Sequence, residues 1–193
     1  KPQRCPRVAR LTCFKAYDIR GRVGDELTEA LATRIGAAFI TVTGASSITV
    51  GHDCRASSPG LAAAVTQGAR AAGADVLDIG QCGTEEVYFA TDHLGAGGGL
   101  MITASHNPIS DNGIKLIGPG ATPISQDQLQ AIHDHVVSDV SPTQCRRGAY
   151  RTADPRAAYC ARVLSFVDPA ALPPLRIVVN AGNGTAGPTF DAL

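Results

Sequence analysis

The run GGLMITASHNPISDNGIKL, residues 98–116, sets two short apolar stretches on either side of a polar loop. Leu100, Met101, Ile102 and Thr103 predict a buried strand. Asn107-Pro108 predicts a turn, because the residue before a proline is kept out of the helical region. Residues 114–117 predict a second strand. Strands this close in sequence pair as antiparallel neighbours.

Outward from this run the chain alternates. Leu27, Leu31, Ile35, Ala38, Phe39 and Val42 recur at helical spacing, predicting a helix over 26–43 closed by Gly44. Residues 48–51 read as a strand. Ser57 and Ser58 before Pro59 open a helix to about Ala72, with Gly73 ending it. A strand at 76–79 follows, then a helix from Thr84 whose acidic start suits the helix dipole. Beyond the central run, Ser125 caps a helix to about Val137. The order predicts an α/β fold with a mixed, largely parallel sheet covered by helices on both faces.

The polar stretch 138–152 reads as a domain boundary. We divide the chain into a leader at 1–13 (disordered, or an artefact of the start site), a first domain at 14–150, and the start of a second at 151–193. In this last part a helix over 155–167, a strand over 175–180 and a glycine-rich turn are expected. One strand with no sheet to bury it predicts that the chain is a fragment.

Composition narrows the function. Across 193 residues, 44% are hydrophobic, and 17 basic residues balance 17 acidic ones. No run approaches the roughly 18 apolar residues of a membrane-spanning helix, and no basic stripe points to nucleic acid. Six cysteines, at 5, 13, 54, 82, 145 and 160, lack paired metal-ligand spacing. They read as free thiols in a reducing cytoplasm. The N-terminus lacks the apolar core of a secretory signal.

Chemistry concentrates at the loop after residues 100–103, since ligands gather at the carboxyl ends of strands in α/β sheets. The turn displays Ser105. His106 beside it can donate to anionic oxygens. Lys115 comes ten residues on, where a neighbouring strand can return it to the same place. A displayed serine among cations suits phosphoryl transfer, which depends on positioning and on cations around spread negative charge. The bland alternative is an ordinary turn. KAYDIRG (15–21) adds Tyr17 and Arg20, and GHDCR (51–55) adds Arg55. Both arginines are fork-shaped donors suited to phosphate. Each also has an aspartate nearby, Asp18 or Asp53, with which it can simply pair.

KAYDIRG, GHDCRASSP and GGLMITASHNPISDNGIKL together resemble the α-D-phosphohexomutases, and the first motif leans to the phosphomannomutase/phosphoglucomutase branch. The resemblance runs from about Phe14 to the end of the chain. It implies interconversion of hexose 1-phosphate and hexose 6-phosphate through a phosphoserine at Ser105. A hexose 1,6-bisphosphate would be intermediate and activator. His106, Lys115 and Arg20 match catalytic positions, while Tyr17, Arg55 and Asn107 are assigned to substrate or phosphate binding. It implies Mg²⁺ held by the phosphorylated Ser105 and three aspartates of a D-G-D-x-D-R loop, and no such loop occurs here. The expected partner is a phosphorylated hexose, with neither nucleic acid nor membrane, in the cytoplasm. The chain alone is expected to be inactive. Asn180 stands where many relatives have aspartate, and Cys54 occupies a variable position.

Three weaker signals complete the reading. Residues 182–187 match G-x-G-x-x-G, which allows a fragment of an NAD(P)-binding domain, although strand-to-helix packing suits them better. His133-Asp134-His135 falls on a helix, where residues two apart face different ways. Gly97-Gly98-Gly99 reads as a flexible loop. A remnant that keeps the fold without turnover is the other alternative.

Overall fold

The computed structural model describes residues 11–138, 146–182 and 184–193. Its sheet contains β1 (Ile19–Arg22), β2 (Ser47–His52), β3 (Asp75–Gln81), β4 (Gly99–Ile102), β5 (Asp111–Ile117) and β6 (Tyr150–Thr152), in the spatial order β1-β5-β4-β2-β3-β6. β2 runs parallel to β3 and β4, and β6 parallel to β3. β5 runs antiparallel to both β4 and β1. The sheet is therefore mixed and mainly parallel, and the antiparallel pairing around the 104–113 loop is as expected.

Helices α1 (Glu29–Thr43), α2 (Ser58–Ala71) and α4 (Gln126–Ser138) pack on one face, and α3 (Thr84–His93) on the other. Period-2 alternation explains how the strands serve both. Leu100 and Ile102 of β4 join the larger core with Phe39, Ile35, Val65 and Ile132, whereas Met101 joins Val87 and Ile117 beneath α3. Burial on both faces is why residues 100–102 read as an unbroken apolar run. The shorter helices α5 (Arg156–Leu164) and α6 (Ala186–Ala192) complete the described elements, with short 3₁₀ turns at Pro119–Ala121 and Pro169–Ala171.

Local chemistry sets the helix ends. The α1 helix begins three residues later than its periodicity predicts, because the Thr28 hydroxyl accepts from the Leu31 amide at 3.2 Å and Leu27 is drawn into the core. It ends, as expected, at Gly44 with φ +68°. Ser125 and Gln128 cap α4 reciprocally, at 3.0 and 3.1 Å. At the crossing of α1 and α2, a Cβ on Gly68 would lie 1.8 Å from the Thr33 carbonyl, and one on Gly36 would lie 2.2 Å from the Val65 carbonyl.

Other expectations need correction. KAYDIRG contributes a strand, β1, that local periodicity did not signal. The polar stretch read as a boundary ends in β6, which adds to the first sheet; residues 139–145 of that stretch lie outside the described residues. Of the presumed leader, Cys13 is buried and Leu11 packs on the core, while residues 1–10 lie outside the described part. Residues 175–180 form no strand, and Leu175, Ile177 and Val178 are exposed. Gly97-Gly98-Gly99 is packed tightly: a Cβ on Gly98 would meet the Phe39 ring at 2.8 Å and the Ile117 carbonyl at 2.9 Å.

Candidate active site

β4 ends at Ile102, and the chain then turns through 103–110 before β5. Ser105 sits at the head of this turn with φ +55°, a left-handed conformation that costs a non-glycine residue about 1–3 kcal/mol. The Thr103 hydroxyl accepts from the Ser105 amide at 2.9 Å, and the Ala104 carbonyl accepts from the Asn107 amide at 3.0 Å. The Ser105 hydroxyl is exposed and stands 3.3 Å from His106 Nδ1, within hydrogen-bond distance. Ser105, His106 and Asn107 line a cleft of about 950 Å³ whose other walls include Gly83, Thr84, Met101, Tyr159, Thr185 and Phe190.

A charged network lies behind the loop. In the register of β1 and β5, Ile19 faces Ile114 and Arg20 faces Gly113. Ile19 and Ile114 enter the larger core, so Arg20 and Lys115 point to the opposite side of the sheet. The missing side chain at Gly113 leaves room there, since a Cβ would lie 2.5 Å from the Ile19 carbonyl and 3.1 Å from Arg20 Cγ. Arg20 donates to Asp18 at 2.7 Å and to the Asn107 side-chain oxygen at 3.1 Å. Asn107 in turn donates to Asp111 at 3.1 Å. Lys115 Nζ lies 4.0 Å from Asp18. Asp18 thus holds both cations, and Arg20 ties β1 to the serine loop.

The residues assigned to ligand binding fare differently. Tyr17 is 82% exposed and does not line the cleft. Both ends of the Asn107 amide already serve protein groups, so it braces the loop. Arg55, also assigned to phosphate binding, is engaged by protein groups. One of its terminal nitrogens donates to the carbonyls of Pro108 (2.7 Å) and Asp111 (3.0 Å), the other to those of Ser105 and Asn107 (2.8 Å each). Its Nε lies 3.3 Å from Asp53. A guanidinium has five N–H groups. Its four terminal N–H groups each meet a backbone carbonyl and Nε faces Asp53, while the residue also lines the cleft beside Ser105.

Sequence reasoning passed over the support beneath this arrangement. The Asn112 side chain is buried, donates to the Ser57 and Ser58 hydroxyls at 2.8 and 2.9 Å, and accepts from the Gly113 amide. Ser58 passes its own hydrogen to Asp53 at 2.5 Å, and Asp53 also accepts from the Arg55 amide at 3.0 Å. The signal was present as Asn112-Gly113 and Ser57-Ser58-Pro59, but the first fell within the loop expected before the strand at 114–117 and the second read as a helix start.

Comparison with known proteins fits this geometry. The family model for phosphoglucomutase/phosphomannomutase, alpha/beta/alpha domain I, matches residues 11–141. The chain belongs to the phosphoglucomutase/phosphomannomutase family. It is 52% identical over 184 residues to a protein named phosphohexose mutases from Xanthomonas campestris, and 47% identical over 191 residues to a phosphomannomutase from Salmonella typhimurium. It covers 41% of the length of each, while these alignments take in 95% and 96% of the chain. A solved phosphoglucomutase/phosphomannomutase family protein from Burkholderia thailandensis superposes with a TM-score of 0.81 at 35% identity, over 94% of this chain and 42% of that one. The chain thus spans about two fifths of the relatives it matches.

Family membership raises the question of Mg²⁺. Among the described residues, no group of three His, Cys, Asp or Glu side chains could hold a metal ion. Ser105, once phosphorylated, would bring oxygens of one group, whereas Mg²⁺ requires near-octahedral oxygen coordination. The residues present do not by themselves fit a Mg²⁺ site. The glycine motif at 182–187 also lacks the strand a dinucleotide fingerprint needs before it. His133 lies 2.9 Å from Asp134 and packs edge-on against Phe14, half-buried, while Asp134 is exposed. No helix among the described residues is long and apolar enough to cross a membrane.

Proposed function

We propose that this chain is the phosphoserine-bearing part of a phosphohexomutase that interconverts hexose 1-phosphates and 6-phosphates. The observation that carries the reading is the Ser105 hydroxyl, displayed in a left-handed backbone conformation at the cleft, beside His106. A nucleophile held on a strained strand-end turn is accessible, and its geometry is maintained by the residues around it.

In this reading phosphorylated Ser105 donates its phosphoryl group to a hydroxyl of a hexose phosphate. The oxygen of that hydroxyl forms the new P–O bond, the bond to Ser105 Oγ breaks, and the hydroxyl proton leaves to a base. The bisphosphorylated hexose then turns over and returns its other phosphoryl to Ser105. His106 is placed to support charge at the serine oxygen. Lys115 and Arg20, gathered on one side of the sheet by Asp18, supply positive potential behind the loop. The Mg²⁺ ligands other than the phosphoserine, and the residues that choose the sugar, belong to parts of the family fold outside this chain.

The test is Ser105→Ala in a full-length version of the protein. Turnover of glucose 1-phosphate or mannose 1-phosphate should fall by at least about 10³-fold, and the phosphoserine mass should vanish from the peptide spanning 98–116. Phosphorylation that persists in the variant would overturn the assignment.

A further inference from the structure

Four carbonyls, those of Ser105, Asn107 and Pro108 in the turn and of Asp111 at the start of β5, converge on a single guanidinium. Backbone carbonyls rarely crowd together without a cation or a row of donors to hold them. The turn also carries a residue in a costly conformation, and such strain persists only where surrounding contacts over-determine it. Arg55 supplies those contacts. It stands three residues after the end of β2, which pairs with β4, the strand leading into the turn. It is itself fixed, because its Nε lies against Asp53, and Asp53 is held by Ser58 Oγ and the Arg55 amide. Asn112 of β5 anchors Ser58. The route from Asn112 through Ser58, Asp53 and Arg55 to the turn joins β5, α2 and β2 to the Ser105 backbone.

We infer that Arg55 is the positioning residue of the serine loop: it holds Ser105 in its left-handed, outward-facing conformation by binding the turn's carbonyls, and does not touch the substrate. The conclusion follows from the side chain's geometry. A planar fork with five fixed donors can satisfy four carbonyls and a carboxylate at once, whereas a lysine ammonium has three donors on a flexible stem. Arg55 keeps a positive charge beside the turn, but Asp53 offsets it. Its effect is therefore on the orientation of Ser105 more than on attraction of an anion. This inference rests on the mutase reading for its kinetic consequence alone.

The experiment uses Arg55→Lys, which preserves charge. Hydrogen exchange on the full chain reads the turn through the amides of Asn107 and Asp111, which donate to Ala104 and Pro108. In the variant these amides should exchange at least about tenfold faster, the worth of one lost charge-assisted hydrogen bond, while those of Thr49 to Gly51 in β2 stay unchanged. In a full-length version, labelling of Ser105 from a ³²P-labelled hexose 1,6-bisphosphate should slow by about tenfold or more with the KM for that sugar unaltered. Exchange at the turn no faster than wild type would overturn the clamp. A rise in KM with an unchanged labelling rate would show that Arg55 binds substrate and overturn the positioning role. If wild-type protein takes up no label at Ser105, the mutase reading fails while the exchange comparison still decides the clamp. Should Arg55→Lys not fold, Asp53→Asn weakens the same anchor and should shift turn exchange in the same direction; no shift there overturns the inference equally.

Discussion

Cys82 lies just past β3, buried against Gly51, so close that a Cβ on that glycine would come within 2.6 Å of its sulfur. Burial pushes its thiol from the ordinary 9.0 up to about 12, and the nearby Glu86 carboxylate adds to the effect. The raised value means the folded state favours the protonated thiol. The stability this contributes is full below pH 9 and is lost as pH climbs from there towards 12, because the unfolded chain releases the proton first. Exposed Cys54 should therefore react with iodoacetamide at pH 8 while Cys82 reacts only on unfolding, read by mass spectrometry of digested protein. Rapid labelling of native Cys82 would contradict this placement. The serine loop shows the same dependence of a residue's behaviour on its surroundings. Ser105, His106 and Lys115 could be picked out from residue type and spacing. That Arg55 holds backbone carbonyls could not, because its partners lie 50 to 56 positions away.

At the scale of elements, the crossing of α1 and α2 depends on two glycines that local propensity counts as defects. Alanine is a better helix former than glycine by about 1 kcal/mol. Gly68→Ala should nonetheless destabilise the protein, by about 1–3 kcal/mol, since its methyl would fall 1.8 Å from the Thr33 carbonyl and push the helices apart. A lowered urea midpoint at unchanged slope is the expected reading, and an equal or higher midpoint would refute it. The helices themselves were legible, along with Gly44 and Ser125 at their ends, because caps and periodicity depend on residues within four or five positions. Strands β1 and β6 were not. Each has only three or four residues and lies at an edge of the sheet, where pairing with β5 or β3 defines it.

For the whole molecule, the decisive quantity is how much of a catalytic unit the chain contains. It spans about two fifths of its relatives, and no metal-holding cluster occurs among its described residues. Phosphoryl transfer draws on metal, cations and substrate anchors acting together, and such units lose activity far from additively. The 193-residue chain alone should therefore show no conversion of glucose 1-phosphate or mannose 1-phosphate, even with Mg²⁺ and a hexose 1,6-bisphosphate present. Turnover within about tenfold of a full-length relative, a barrier difference of about 1.4 kcal/mol, would show that the site is built differently. Residues 175–180 are expected as a strand, yet a strand requires a neighbour to satisfy its backbone, and Val178 is 96% exposed.

The amino-acid sequence by itself determined the α/β class, the main helices, the four central strands, and the loop in which Ser105 would be displayed. These follow from near-neighbour rules: spacing of apolar residues, capping, and the turn imposed by Asn107-Pro108. Tertiary structure alone decided the edge strands, the packed role of Gly97-Gly98-Gly99, and the convergence of four loop carbonyls on Arg55. It also decided that Asp18 gathers Arg20 and Lys115 on one side of the sheet. The reason is physical. A guanidinium, a glycine or a carboxylate has the same intrinsic chemistry wherever it stands, and its role is set by which distant groups the fold brings within about 3 Å of it.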